Sequence, residues 1–181
     1  MKKTYRNFSN KEEAIAYHEA GHAIVRIYSP YAQHITRVTI VPCKDTLGSV
    51  KNKKPSQWFS SEIETDFLNP RAHVKLEQEI IVALAGSIAE NKYYENRGEA
   101  LNDLSGKFDR EGALHFAMLG KGIESGTAYY DFCYAMAQEK VDHHWKEIGK
   151  LARKLLKHKT LTAPQVKMIL YGGTLSARSI P

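Results

Sequence analysis

The sequence predicts an α+β domain in which helices dominate, and three observations carry that prediction. Apolar residues recur at helical spacing over most of the chain. One short run, Ile35-Thr36-Arg37-Val38-Thr39-Ile40-Val41, is rich in β-branched residues and alternates in polarity. The helical stretch ahead of that run contains the pentad His18-Glu19-Ala20-Gly21-His22. At 181 residues the chain is expected to form a single domain, 1–181, large enough for a core of its own.

The first element is a helix over 11–28. Glu12, Glu13, Ala14, Ile15 and Ala16 favour it, Ser9 or Asn10 is the expected N-cap, and Ser29-Pro30 stops it. The alternating run 35–41 is a strand. Residues 42–46 turn the chain, and Leu47-Gly48-Ser49-Val50 returns as a short second strand, so a small β-unit follows the first helix. Residues 52–70 are polar, contain Trp58 and Phe59, and read as a long loop of the kind that serves as a lid or binding element.

The remainder is helical. Val74, Ile80, Ile81, Leu84, Ala85 and Ile88 form an apolar face within 72–94. A second helix after Gly98 carries Leu104, Phe108, Ala113, Phe116 and Ala117 before Gly120. Residues 129–157 read as one long amphipathic helix. Thr162 caps a short last helix that begins Ala163-Pro164-Gln165 and runs through Leu170, and 171–181 is a loose tail.

Composition narrows the function classes. The net charge of +6 is modest, and the basic clusters Lys51-Asn52-Lys53-Lys54 and Arg153-Lys154…Lys157-His158-Lys159 lack aromatic interleaving or a nucleic-acid motif, so no nucleic-acid partner is expected. No apolar run approaches the roughly 18 residues that cross a bilayer, and no h-region follows the basic start, so neither a membrane span nor a signal peptide is expected. Cys43 and Cys133 are too few for a disulfide framework and fit a reducing, cytoplasmic location. Neither lies in a nucleophile motif. His143, His144 and His158 read as surface residues.

The chemistry sits in the pentad. Two histidines four residues apart stand one above the other on a helix face, so both imidazoles can reach one ion. Glu19 follows His18 by about 100° of helix rotation, beside the metal, where it can take a proton from water. A pair of hydrogen-bonded core histidines is the plainer alternative, but it leaves two imidazoles and a carboxylate to be satisfied in the interior. A hydrolytic zinc site needs a third protein ligand and one open position. Val25 and Tyr28 stand where a metzincin needs Gly and His. Glu77, Glu79, Glu90, His73, His115 and Asp103 are candidates for that third ligand, and spacing alone does not choose among them.

Several ordered segments resemble the FtsH family of zinc metallopeptidases. Ala16-Tyr17-His18-Glu19-Ala20-Gly21-His22-Ala23-Ile24-Val25 resembles its motif helix, and His34 to Pro42 its next strand, with Leu47-Gly48 its edge strand. Leu84-Ala85-Gly86-Ser87-Ile88-Ala89-Glu90 resembles its "LGGRAAE" helix, Gly98 to Leu104 its "GAxNDL" segment, and Lys159 to Leu170 its closing helix. The likeness spans residues 10–170. It implies an FtsH-like peptidase fold with the small sheet beside the motif helix. It also implies one zinc per chain held by His18, His22 and Asp103, with Glu19 as general base. Asp109 and Glu99 have no comparable motif context.

The resemblance further implies a polypeptide substrate bound along Leu47, Gly48, Ser49 and Val50 by strand addition. A separate ATPase or a homo-oligomer is the implied partner, because the family joins this domain to an AAA ATPase and assembles as hexamers. Here no Walker A motif occurs, so the chain is not expected to hydrolyse ATP itself. The family's "GGR" is Ala85-Gly86-Ser87. Two rival readings stand beside the peptidase: a catalytically silent zinc-containing binding or regulatory module, and a repressor-cleaving regulatory peptidase, in which Asp45 or Glu62 would complete the site.

Overall fold

The computed structural model describes residues 3–30, 34–42, 47–52, 70–99 and 106–172, with side chains from Lys11 onward. Six helices and three strands run in the order α1 (Lys3–Ile27), β1 (Ile35–Thr39), β2 (Ser49–Asn52), α2 (Pro70–Glu95), α3 (Lys107–Lys121), α4 (Ile123–His143), α5 (Trp145–His158), β3 (Thr160–Thr162) and α6 (Ala163–Tyr171) among these residues. The class is α+β and mostly helical, as the periodicity predicts.

Helix α1 is the centre of the domain. It packs along α2 on one side and α5 on another, while α3 and α4 close over α2. The α1–α2 contact is made by small residues: Ala16, Ala20 and Ala23 of α1 and Ala85 and Ala89 of α2 are all buried. A Cβ on Gly21 would stand 2.6 Å from the Ala85 carbonyl oxygen, so the two helices lie closer than ordinary side chains permit. One turn beyond His22, buried Arg26 holds Glu79 of α2 through two parallel hydrogen bonds of 2.8 and 2.7 Å. A bidentate pair of this kind fixes orientation as well as distance.

The sheet is antiparallel, in the order β2-β1-β3. Val38 pairs with Val50 on one side and with Leu161 on the other. The Val38 and Leu161 side chains are buried.

Three local expectations are corrected. Helix α1 begins at Lys3, so Ser9 and Asn10 lie inside it rather than capping it. Residues 3–10 contain neither Gly nor Pro, and polar residues inside a helix cost only tenths of a kcal/mol each, roughly, against Ala. The expected single helix over 129–157 is two helices. The first starts at Ile123 after Gly122, whose φ of 80° ends α3. The break comes at His144, whose backbone leaves helical geometry (φ −99°, ψ 19°) and whose ring stacks at 4.1 Å on Tyr28, just past the end of α1. Strand β3 is the third correction: Thr160-Leu161-Thr162 pairs with β1 before Thr162 leads into α6. The expected N-terminal device of α6 is present, with the Thr162 N–H and hydroxyl both donating to Gln165 Oε1 at 2.8 and 2.9 Å. The expected turn at 43–46, the loop over most of 52–70 and the tail beyond 172 lie outside the described residues. Among the described residues, no helix is long and apolar enough to cross a membrane.

Candidate metal centre

His18 and His22 project from α1 toward α2, and each ring is oriented by a partner on that helix. His18 Nδ1 donates to Glu90 Oε2 at 2.9 Å, and His22 Nδ1 donates to the Val82 carbonyl oxygen at 2.8 Å. With both Nδ1 atoms engaged, both Nε2 atoms face each other, 3.0 Å apart. They are close enough for one ion at the usual zinc–nitrogen distance of about 2.0–2.1 Å to touch both. A helix passing this close requires a residue without a side chain. At Gly86 a Cβ would stand 2.3 Å from His22 Nε2 and 2.8 Å from His18 Nε2.

A carboxylate completes the group. Asp109, in the first turn of α3, brings Oδ2 to 3.2 Å from His18 Nε2 and 3.7 Å from His22 Nε2. Among the described residues, His18, His22 and Asp109 form the one set of metal-ligating side chains whose donor atoms all lie within 4.8 Å of one another. Nothing in the sequence around Asp109 sets it apart, and an acid in the first turn of a helix is common. The expected third ligand, Asp103, lies outside the described residues, as do Asp45 and Glu62. The other candidates are engaged elsewhere or apart. Glu79 is bound to Arg26, Glu77 accepts from the Tyr129 hydroxyl at 3.2 Å, and Glu90 meets His18 on Nδ1 rather than Nε2. The His115 ring lies beside that of Phe116, and neither it nor His73 joins the group.

Glu19 is 6% exposed, and its Oε2 has no hydrogen-bond partner among the described residues. An orphaned buried carboxylate oxygen is costly unless a ligand or water meets it. Burial drives its pKa upward, against the opposing pull of His22 and His18. Gly48 lies directly on this carboxylate, since a Cβ there would stand 2.6 Å from Glu19 Oε1. Of the expected substrate segment, Leu47 and Gly48 precede β2, while Ser49 and Val50 are its first residues. Among the described residues β2 is an edge strand, paired only with β1.

The charges are coupled. Burial disfavours the His18 imidazolium, but hydrogen bonds to Asp109 and Glu90 and the charge of Glu19 outweigh it and push its pKa up to about 10. Burial opposes ionisation of Asp109 as well, yet the contacts with His18 and His22 hold its carboxyl well below the usual range. The donor set (two imidazoles with Nε2 turned inward, a carboxylate beside them, a Glu19 whose Oε2 meets no hydrogen-bond partner among the described residues, and a glycine floor) therefore fits a divalent transition metal of the zinc type. Cys133 is buried, and burial pushes its thiol up to about 12.

Residues 6–107 match the family model described as peptidase family M41. Among curated proteins, the chain is similar to an ATP-dependent zinc metalloprotease FtsH of Rickettsia conorii, 26% identical across 93% of this chain and 30% of that protein. It is 28% identical to ATP-dependent zinc metalloprotease FtsH 1 of Methylacidiphilum infernorum, over 91% of this chain and 30% of the relative. The mouse ATP-dependent zinc metalloprotease YME1L1 is 27% identical, over 93% and 26% respectively. The chain thus spans less than a third of the length of these relatives.

Proposed function

Because the chain belongs to peptidase family M41, we propose that it is a zinc-dependent metalloendopeptidase that hydrolyses peptide bonds in unfolded or flexible polypeptides without an ATPase of its own. The observation that carries this reading is Glu19: a buried carboxylate with one oxygen unpartnered among the described residues, next to two imidazoles whose Nε2 atoms converge. A site built only to hold a metal for folding has no use for such a group.

His18 and His22 would hold the ion with a carboxylate from the segment before α3 or from the first turn of α3. Asp103 is the proposed third ligand on its resemblance to the "GAxNDL" segment. Asp109 is the second reading, favoured by the 3.2 Å approach of its Oδ2 to His18 Nε2. When bound, zinc acidifies water toward neutral pH and polarises a carbonyl. Glu19 takes the proton of the attacking water and returns it to the departing amine, and its burial-raised pKa suits it to hold that proton in between. Glu90 and Val82 keep the two rings turned so that Nε2 faces inward. The edge strand β2, entered through Leu47-Gly48, would take an extended substrate by backbone pairing and deliver its carbonyl past Glu19. Backbone pairing reads side chains weakly, which suits unfolded substrates.

The proposed setting is the cytoplasm, with polypeptides as substrates and a separate ATPase or further copies of the chain as partners. The rival reading is a zinc-containing module without turnover. Purified chain should contain about one zinc and cut unfolded casein in a chelator-sensitive reaction that ATP does not change. Zinc with no cleavage of any unfolded substrate would favour the silent module, and ATP-stimulated cleavage by the chain alone would overturn the ATPase-free reading.

A further inference from the structure

Helices α5 and α6 and strand β3 enclose a groove of about 360 Å³ at the β3 edge of the sheet. The wall on α5 is formed by exposed Lys150 and Lys154, whose ammonium groups make it cationic, with exposed His158 continuing the line. The facing wall is mainly apolar, with Met168 (53% exposed) and Ile169 of α6 beside Gln165, and buried Leu161 at the base. Among the described residues no carboxylate lines the groove, and no ion pair joins these three α5 side chains to an acid. The wall belongs to the most basic part of the chain: residues 145–159 hold six Lys and Arg against one acid, Glu147, a surplus of five in a chain whose net charge is +6.

We propose that this groove binds an acidic polypeptide segment in extended conformation, with carboxylates alternating with apolar side chains. The spacing of the wall is the argument. Lys150, Lys154 and His158 succeed one another every four helical residues, a rise of about 6 Å. Alternate side chains of an extended peptide point to one face about 6.6 Å apart, and the intervening ones point to the other. Such a peptide presents its carboxylates to α5 and its apolar side chains to Met168, Ile169 and Leu161 together. An inorganic anion would use one wall and leave the other wet. A flat lipid surface does not enter a groove between two helices. The peptidase reading enters only in the use of this site: the groove lies at the β3 edge and Glu19 beside the approach to β2, so a substrate's acidic segment would be held apart from the bond to be cut.

The test is fluorescence anisotropy on the full chain carrying Glu19→Gln, so that bound peptide is not cut and the result is independent of whether the wild-type chain cleaves anything. The probe is a short labelled peptide alternating glutamate and leucine. It should bind saturably, and Lys150→Glu with Lys154→Glu should weaken it by more than about tenfold. The gentler pair Lys150→Gln with Lys154→Gln keeps good helix formers and should give a smaller loss. Met168→Asn should weaken binding with the charges intact. Equal affinity in the charge-reversed variant would overturn the proposal. So would equal binding of a peptide with its glutamates in one block, or tighter binding of phosphatidylglycerol vesicles or a DNA oligonucleotide than of the alternating peptide.

Discussion

Gly86 of α2 lies against His22 of α1 so closely that a single added methyl would stand 2.3 Å from the ring nitrogen His22 Nε2. The missing side chain is therefore part of the floor of the centre. Gly86→Ala must turn a ring or push α2 away, and overpacking of this kind costs about 1–3 kcal/mol. The expected outcome is a chain that folds with reduced thermal stability and binds zinc at least about tenfold more weakly, read by competition with a chromogenic chelator. Unchanged zinc affinity would show that the imidazole pair tolerates displacement.

Glu90 orients His18 from the far side of the ring. Removing such a partner costs metal sites about 10–100-fold in affinity or activity. Glu90→Gln keeps the shape and an acceptor but removes the charge, and zinc affinity should fall within that range. A variant with wild-type affinity would mean that ring orientation is fixed by packing alone.

Glu19→Gln separates the enzyme from the silent module. Glu19 is not among the proposed ligands, so zinc content should stay near one per chain, while cleavage of unfolded casein falls by about 10²–10⁴. Loss of zinc along with activity would make Glu19 a ligand instead of a base.

The third ligand is decided by two parallel variants read by metal content. Asp103→Ala should lose zinc on dialysis, and Asp109→Ala should keep it. The reverse result would move the ligand to Asp109, whose Oδ2 already lies 3.2 Å from His18 Nε2. Retention by both variants would exclude both carboxylates.

The pH dependence of zinc stabilisation follows from His18 and Asp109. The folded protein raises the His18 pKa from 6.5 to about 10, so this group stabilises the metal-free fold fully below about pH 6.5 and loses that contribution as pH rises through 10. Asp109 is held below its ordinary 3.8, so its contribution is present above that value and is lost as pH falls. Zinc competes with the His18 proton. The rise in Tm on adding zinc should therefore grow between about pH 6 and pH 8.5 in differential scanning fluorimetry, and a rise that shrank over that range would contradict the coupling.

What the sequence determined by itself is whatever rests on local geometry. The i, i+4 spacing of His18 and His22 puts two imidazoles on one face of α1 without any knowledge of the fold. Alternating β-branched residues specify β1, and Thr162 with Gln165 specifies the start of α6. Tertiary structure decided what those groups meet. Glu90 lies 72 residues from His18, Asp109 lies 91 residues away, and β3 pairs with β1 across more than a hundred residues. The break at His144 likewise accompanies a stack on Tyr28, 116 residues earlier in the chain and just past the end of α1. Helical and strand periods reach only a few residues along the chain. Which carboxylate closes on the imidazoles depends instead on how nearly α2 can approach α1, and that is set by the glycines and alanines packed between them.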